Sequence, residues 1–207
     1  MAGIVQAMAQ KLVVERLQGA AIRPWLEALA ALRIRVFREY PYLYEGSEEA
    51  ERRYLSHFSE STESVLVMAR RDEQIVGAST AMPLRAESPA FRAPFEALGL
   101  PVDDYFYLAE SVLLPDYRGL GLGHRFFDER EAAASQLGYS KTTFCAVVRS
   151  TTHPARPARL RELGGFWKKR GYSPRADLVC ELPWREVGSD GETPHLLMFW
   201  TNVVERG

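Results

Sequence analysis

Cysteine is scarce in this sequence, and its placement excludes two kinds of site. The chain of 207 residues contains two cysteines, Cys145 and Cys180, each within an apolar run. Neither belongs to a Cys-x-x-Cys pair, which excludes a zinc ribbon and a thioredoxin-like redox motif. So low a cysteine content is typical of proteins in a reducing compartment, and we therefore expect a cytoplasmic protein.

A surplus of one charge and long hydrophobic runs are also lacking. Lysine and arginine number 26 against 27 aspartates and glutamates, which leaves a formal net charge of -1. Proteins that coat nucleic acid or anionic membranes usually carry a positive surplus, so we expect neither partner. No stretch approaches the roughly 18 apolar residues of a membrane helix, and residues 1–10 do not resemble a secretory signal. His57 and His153 stand alone, and we expect no metal site.

Apolar periodicity and turn residues predict the element order βααβββαβαββ. Before residue 83 the predicted strands are 11–17, 64–70 and 75–82, with a four-residue loop at 71–74, and the helices are 24–39 and 47–58. After residue 103 the strands are 105–114, 141–148, 177–183 and 195–203, and the helices are 122–137 and 159–169.

The order of these elements predicts an α+β fold. A mostly antiparallel mixed sheet should contain one strand–helix–strand unit, 105–148, as a right-handed parallel crossover, with helices on both faces of the sheet. The proline-rich stretch 83–103 carries several large apolar residues, which predicts a partly helical insertion rather than a solvated linker. We expect one domain over 1–207, with its core at about 11–203.

Glycines at alternate positions occupy the turn between a predicted strand and a predicted helix, at Arg118-Gly119-Leu120-Gly121-Leu122-Gly123. Glycine lets backbone N–H groups approach a ligand closely, and the first N–H groups of a helix bind phosphate oxygens well. Arg118 and Arg125 could add charge-assisted hydrogen bonds. The Rossmann pattern fails because His124 stands where glycine is required, and no Walker Gly-Lys-Ser/Thr is present.

This stretch resembles motif A of the GNAT family of N-acetyltransferases, Gln/Arg-x-x-Gly-x-Gly/Ala, with Arg118, Gly121 and Gly123 at the patterned positions. A second segment, 165–172, resembles the aromatic-rich last helix of that family and its exit. The predicted order of elements over 11–203 is also similar to the family's fold. The resemblance implies acetyl-CoA as the acyl donor and a GNAT-like domain over the whole chain.

The resemblance also implies which residues hold the coenzyme. In the family, pantetheine lies between splayed fourth and fifth strands and pairs with backbone, which here corresponds to Val112, Leu113 and Leu114. The pyrophosphate would be held by Arg118 and by the backbone of Gly119, Leu120, Gly121, Leu122, Gly123 and His124. Ser150, after the fifth strand, is a further candidate for coenzyme contact.

Glu110 is the candidate general base for the attacking amine. It is the one carboxylate inside an otherwise apolar strand, and removing a carboxylate from water raises its affinity for protons. A glutamate at or near this position is a recurrent base in the GNAT family. The alternative is that Glu110 pairs with a nearby arginine or faces solvent.

The general acid is harder to assign. Many GNAT enzymes use a tyrosine in the last helix, but the corresponding residue here is Trp167, whose indole N–H is no acid at neutral pH. Tyr172, Ser150 and Cys145 are candidates, although each could instead be structural or contact the coenzyme. A thiolate that leaves into water would need no dedicated acid.

Tyr42 and Tyr44 lie in the aromatic-rich connection after the first predicted helix and are candidates for a wall of the acceptor site, unless they only pack a helix corner. We therefore expect an enzyme that transfers an acetyl group from acetyl-CoA to a primary amine of a small molecule, by direct attack through a tetrahedral intermediate. The alternatives are a catalytically silent acyl-CoA-binding module and a peptide or protein N-acetyltransferase. The apolar run 196–200 suggests a sheet edge through which the chain would form a homodimer.

Overall fold

One mixed sheet of seven strands dominates the structure, a computed structural model that describes residues 12–203. The spatial order is β1-β2-β3-β4-β5-β7-β6. All neighbouring pairs are antiparallel except β4 and β5, which are parallel and joined through a helix, as predicted. Residue 11, the first of the first predicted strand, lies outside the described residues. The strands are β1 (Leu12–Gln18), β2 (Val65–Arg71), β3 (Gln74–Pro83), β4 (Tyr105–Leu113), β5 (Lys141–Val147), β6 (Ser173–Arg185) and β7 (Glu192–Val203).

Over the described part of the chain, five α-helices accompany the sheet: α1 (Leu26–Phe37), α2 (Glu48–Glu60), α3 (Pro89–Ala97), α4 (Leu122–Gln136) and α5 (Gly164–Lys169). The side chain of Ser47 caps α2 by accepting from the N–H of Ala50 at 3.2 Å, which fixes its predicted start. Helix α3 is the helical part of the predicted insertion. The prediction of a helix from 159 was wrong, because α5 begins at Gly164 and the exposed residues before it offer no buried face to stabilise a short helix.

The turn between β2 and β3 is tighter than predicted. Arg71 pairs with Gln74, so Asp72 and Glu73 alone form the loop and the prediction of a four-residue loop was wrong. Asp72 has φ 52, in the left-handed region that aspartate tolerates better than most residues.

Helices cover both faces of the sheet, as predicted. Glu110 of β4 contacts Arg33 of α1, whereas its neighbour Ser111 contacts Arg130 of α4. Because successive side chains of a strand point to opposite faces, α1 and α4 lie on opposite sides of β4. The core on these two faces is built largely from the buried residues of β2 and β3.

A β-bulge in β4 places Glu110. Thr80 of β3 pairs with Glu110 and Met82 pairs with Tyr107, so Leu108 and Ala109 together oppose the single residue Ala81. The extra residue breaks the alternation of faces, and the side chains of Tyr107 and Glu110 therefore reach the same side of the sheet.

Arg130 anchors this bulge from α4. Its guanidinium donates to the carbonyl oxygens of Thr80 and Glu110 at 3.2 and 3.1 Å and to the Ser111 hydroxyl at 2.9 Å. The side chain is buried over its whole length, with 1% of the residue exposed. Burial lowers the pKa of Arg130 to about 10, so the side chain stays charged at neutral pH.

The apolar C-terminal run does not form a sheet edge. Strand β7 lies between β5 and β6, and Leu197 and Phe199 are buried there, so the premise of an apolar edge was wrong and β6 is the outer strand. The apolar run is explained by its central place in the sheet. Dimerisation stays a prediction without that support. Within residues 12–203, no helix is both long and apolar enough to cross a membrane.

Candidate active site

A wedge opens in the sheet between β4 and β5. The two strands pair only from Tyr105 to Tyr107 on β4 and from Lys141 to Thr143 on β5, although both continue well beyond. Past the bulge, β4 stays bonded to β3 and β5 stays bonded to β7. The facing edges of β4 and β5 therefore carry backbone groups that no strand satisfies, which is an arrangement that can bind an extended chain of amides.

The glycine loop lies at the end of β4 and leads into α4. Gly119 and Gly121 have φ 82 and 81, a left-handed conformation in which a residue with a side chain would be strained. Gly121 is also the N-cap of α4. A Cβ placed on either glycine would meet nothing within 4 Å, so both positions face open space. The first N–H groups of α4 have no acceptor within the helix, and together with the helix dipole they form an anion cradle.

The side chains around the cradle have contacts of their own. Arg118 donates to the carbonyl oxygen of Leu113 at 3.1 Å and pairs with Glu39 at 2.8 Å, so its guanidinium points back over β4. The ring of His124 packs edge-on against Phe166, with 4.9 Å between centroids, and its backbone N–H is bonded to the oxygen of Gly121. The cradle is therefore built from the backbone of Gly119, Leu120, Gly121, Leu122 and Gly123.

The strand residues predicted to face the coenzyme differ in orientation. The N–H of Leu114 donates to Val76 at 3.0 Å, so that amide is already bonded within the sheet. Val112 is buried opposite Ala78, and Leu113 directs its carbonyl oxygen toward Arg118 at the open edge. Ser150 is exposed after β5 and bonds within its own turn, to Thr152.

Glu110 is buried in an ion-pair network beside the wedge. Its carboxylate pairs with Arg33 of α1, and the same guanidinium pairs with Glu51 of α2. All three side chains are nearly inaccessible to solvent. Burial opposes the charge on Arg33, yet Glu110 and Glu51 raise its pKa above the ordinary value, so the guanidinium remains charged. The pairing alternative for Glu110 is thus present in the structure, and its role as a base stays a prediction.

Tyr54 links Glu110 to a third buried carboxylate. Its hydroxyl lies 3.5 Å from Glu110 and 3.4 Å from Glu87, and its ring lies under the guanidinium of Arg33 at 4.5 Å. Burial, followed by the carboxylates of Glu110 and Glu87, raises the pKa of Tyr54 well above its ordinary value. The phenol therefore keeps its proton and can donate a hydrogen bond to either carboxylate.

Replacing Arg33 by methionine should destabilise the fold by about 3–5 kcal/mol, because it leaves Glu51 and Glu110 buried without a compensating charge. The free energy of unfolding in a denaturant titration measures the loss. Arg38→Met is the matched control, since Arg38 is the C-cap of the same helix and pairs with Glu45 at the surface. Its cost should be below about 1 kcal/mol. Equal losses in the two variants would contradict the importance of the buried network.

Tyr42 and Tyr44 both border this network. The ring of Tyr42 packs against Phe37 at 4.5 Å, and burial, then Cys145 and Glu110, raises the pKa of its hydroxyl. Burial, then Glu51, raises the pKa of Tyr44 as well. Arg149 holds this connection in place by donating to the carbonyl oxygens of residues 41 and 42. The structure therefore places Tyr42 near Glu110 and Tyr44 near Glu51 of the same network.

The candidate acids are engaged elsewhere. Trp167 packs against Trp200 and Phe144, with 5.0 Å between ring centroids in each case. Tyr172 is buried and its hydroxyl is bonded to Thr142 and Glu131, both at 2.9 Å. Burial also raises the pKa of the Cys145 thiol well above its ordinary value. These contacts give each side chain a structural role.

The sequence interpretation missed Arg33, Glu51, Tyr54 and Glu87. A signal for three of them was present: Arg33 lies among the inward-facing Leu29, Leu32 and Phe37 of α1, and Glu51 and Tyr54 continue the stripe of Leu55 and Phe58 on α2. Charged residues at inward positions of two helices indicate a buried polar network. No comparable periodicity marked Glu87.

The acetyltransferase (GNAT) family matches residues 27–164, more than half of the chain. No curated protein was found to match it. Several solved structures share the fold, and their low sequence identities to this chain indicate similarity of fold only. A ribosomal-protein-alanine N-acetyltransferase from Brucella melitensis has a TM-score of 0.59 and 14% identity, covering 93% of this chain and 99% of that one.

Two further structures are similar. An N-acetyltransferase from Staphylococcus aureus has a TM-score of 0.57 and 11% identity, with 93% of this chain and 99% of that chain covered. An acetyltransferase of the GNAT family from Streptococcus pneumoniae has a TM-score of 0.55 and 14% identity, with 94% and 100% covered. The family resemblance seen in the glycine loop is thereby confirmed. The chain belongs to the acetyltransferase (GNAT) family, whose enzymes generally use acetyl-CoA as the acyl donor.

Proposed function

We propose that this protein transfers an acetyl group from acetyl-CoA to the primary amine of a small molecule. The observation that carries the proposal is the alignment of three features along β4: the buried Glu110, the open wedge toward β5, and the anion cradle at the start of α4. A coenzyme that fills the cradle and the wedge would bring its thioester close to Glu110.

Coenzyme A suits the two parts of this groove chemically. Its pyrophosphate matches the backbone donors of 119–123, where charge-assisted hydrogen bonds and the helix dipole favour an anion. Its pantetheine chain contains amides, which can pair with the unsatisfied edges of β4 and β5. Arg118 stays close to the cradle and can shift from Glu39 to a phosphate oxygen.

Glu110 is proposed to accept the proton that the amine loses when it attacks the thioester carbonyl. A new bond forms between the amine nitrogen and the acetyl carbon, and collapse of the tetrahedral intermediate breaks the bond to sulfur. Tyr42 and Tyr44 are proposed to line the acceptor side of this centre. No dedicated acid is assigned, because the thiolate of coenzyme A can leave into water and take its proton there.

A small acceptor is favoured because the insertion covers the acceptor side of the sheet. Helix α3 packs over it through Phe95, which contacts Tyr105 and Phe199 at 4.9 Å, and through Phe91, which contacts Tyr107 at 5.2 Å. A peptide would need an open groove in this region. The second candidate acceptor is the N-terminus of a peptide or protein, because one structural neighbour is a ribosomal-protein-alanine N-acetyltransferase.

The test is incubation of the protein with acetyl-CoA and a panel of amines, amino acids and a peptide with a free N-terminus, with free thiol as the readout. We expect thiol release that depends on a small amine and exceeds the hydrolysis measured without an acceptor. Release with the peptide alone would favour the second candidate. Coenzyme A binding without release on any acceptor would contradict the enzymatic proposal and favour a silent acyl-CoA-binding module.

A further inference from the structure

A cavity of about 330 Å³ lies between α2 and the segment that leads into α3. Glu87 and the aromatic residues Tyr54 and Phe91 line it. It lies next to the proposed reaction centre, because Tyr54 lines the cavity and its hydroxyl also reaches Glu110. Its lining includes Arg53, Tyr54, His57, Glu87, Ser88 and Phe91.

Glu87 is a buried carboxylate without a counter-charge. Only 3% of the residue is exposed, and it accepts hydrogen bonds from the N–H of Ser88 at 2.9 Å and from Tyr54 at 3.4 Å. Within residues 12–203, no lysine, arginine or histidine nitrogen lies within 4.0 Å of its oxygens. A buried carboxylate in contact with a cavity and lacking a cation is costly unless something compensates its charge.

The neighbouring network cannot provide that charge. Arg33 already pairs with both Glu51 and Glu110, so its single positive charge faces two carboxylates. Glu87 is a third carboxylate next to this network. Burial, with a further contribution from Glu110, raises the pKa of Glu87. A cation that enters the cavity would favour the ionised form of Glu87 and reduce the excess of negative charge.

Aromatic rings reinforce the preference for a cation. Phe91 and Tyr54 both line the cavity, and Tyr54 already accommodates the guanidinium of Arg33 over its ring at 4.5 Å. The faces of such rings attract ammonium and guanidinium groups, most strongly when water is excluded.

Two basic residues stand at the rim, and of these His57 offsets the charge of Glu87 only in part. Arg53 is exposed over 77% of its side chain and pairs with Glu49 at 3.2 Å. His57 uses its Nε2 with the carbonyl oxygen of Ala86 at 2.8 Å and is half exposed. Solvent and salt screen exposed charges far more than buried ones, so the potential inside the cavity is set by Glu87.

We propose that this cavity binds a second ammonium group of the acceptor, which makes the substrate a diamine or another amine with a cationic group close to the reactive nitrogen. The proposal rests on the proposed function in so far as Glu110 marks the reactive end. The Tyr54 hydroxyl lies between Glu110 and Glu87, so a short aliphatic spacer joins the two nitrogens of the substrate.

The test measures binding rather than turnover, by calorimetry in the presence of coenzyme A without an acetyl group. The probes are diaminobutane and its matched monoamine, butylamine. The wild-type protein should bind the diamine about 10- to 100-fold more tightly, as expected for a hydrogen bond between an ammonium group and a carboxylate. Glu87→Gln, which keeps the shape of the side chain, should remove most of that preference.

Glu96→Gln is the matched control, since Glu96 lies on α3 and is exposed; it should retain the full preference for the diamine. Equal affinities of the wild-type protein for the two probes would overturn the proposal, without recourse to any variant. A preference that survives in Glu87→Gln, or is lost equally in Glu96→Gln, would overturn it too. A failure to release thiol with any acceptor would count against the proposed function alone, because this binding measurement requires no turnover.

Discussion

Gly121→Val should abolish the protection that coenzyme A gives the protein against thermal unfolding. The residue has φ 81, and a Cβ there would project into the open space of the cradle. A branched side chain would occupy the volume in which phosphate oxygens approach the backbone N–H groups. A ligand at about 100 times its dissociation constant stabilises the native state by about 2.7 kcal/mol, and that increment should disappear in the variant.

The same substitution also strains the backbone, and a control separates the two effects. Gly188, in the turn between β6 and β7, has φ 84, and a Cβ there also meets nothing within 4 Å. Gly188→Val should therefore lose about 1–2 kcal/mol of stability, as Gly121→Val does, because both force a branched residue into a left-handed conformation. Coenzyme A should still protect Gly188→Val. Unchanged protection of Gly121→Val would refute the assignment of the cradle.

Glu110→Gln should lower kcat/KM for the amine by about 10²- to 10⁴-fold, the usual contribution of a general base. The KM for acetyl-CoA should change little, since the substitution leaves the cradle and the strand edges intact. The deficit should shrink as the pH rises, because hydroxide in solution can then accept the proton of the attacking amine in place of Glu110. Steady-state kinetics with free thiol as the readout, repeated across pH, measure both effects.

Glu51→Gln is the control for the buried ion pair. Glu51 is as buried as Glu110 and pairs with the same guanidinium, but it lies on α2 rather than beside the wedge. If Glu110 acts as a base, Glu51→Gln should retain most of the activity. Equal losses in the two variants would show that Glu110 acts only by holding Arg33, and would end its assignment as a base.

Local chemistry carried the sequence-based prediction of the fold. Apolar runs and the turn residues between them located all seven strands of residues 12–203, and the glycine-rich turn located the start of α4 at Leu122. The spacing of Gly119, Gly121 and Gly123 predicted an anion cradle because glycines in such a turn let the local backbone N–H groups approach a ligand. Such features depend on neighbours in sequence, so a sequence can reveal them.

The network around Glu110 could not be predicted in the same way. Arg33 lies on α1, Glu51 and Tyr54 lie on α2, and Glu87 precedes α3, so only the packing of these segments against β4 brings the four residues together. The bulge was also hidden, since Leu108 and Ala109 continue an apolar run and leave no break in its pattern. Because the sequence does not show the bulge, it does not show which side of the sheet Glu110 faces.

Helix α4 begins at the proposed coenzyme cradle, and further along it carries Arg130, whose guanidinium donates to the carbonyl oxygens of Thr80 and Glu110. The same helix would thus position both the bound acetyl-CoA and the backbone of Glu110. Substitutions that tilt or shift α4 will change KM for the coenzyme and kcat together. A kinetic defect in both parameters therefore identifies displacement of the helix, whereas loss of a single contact changes one of them.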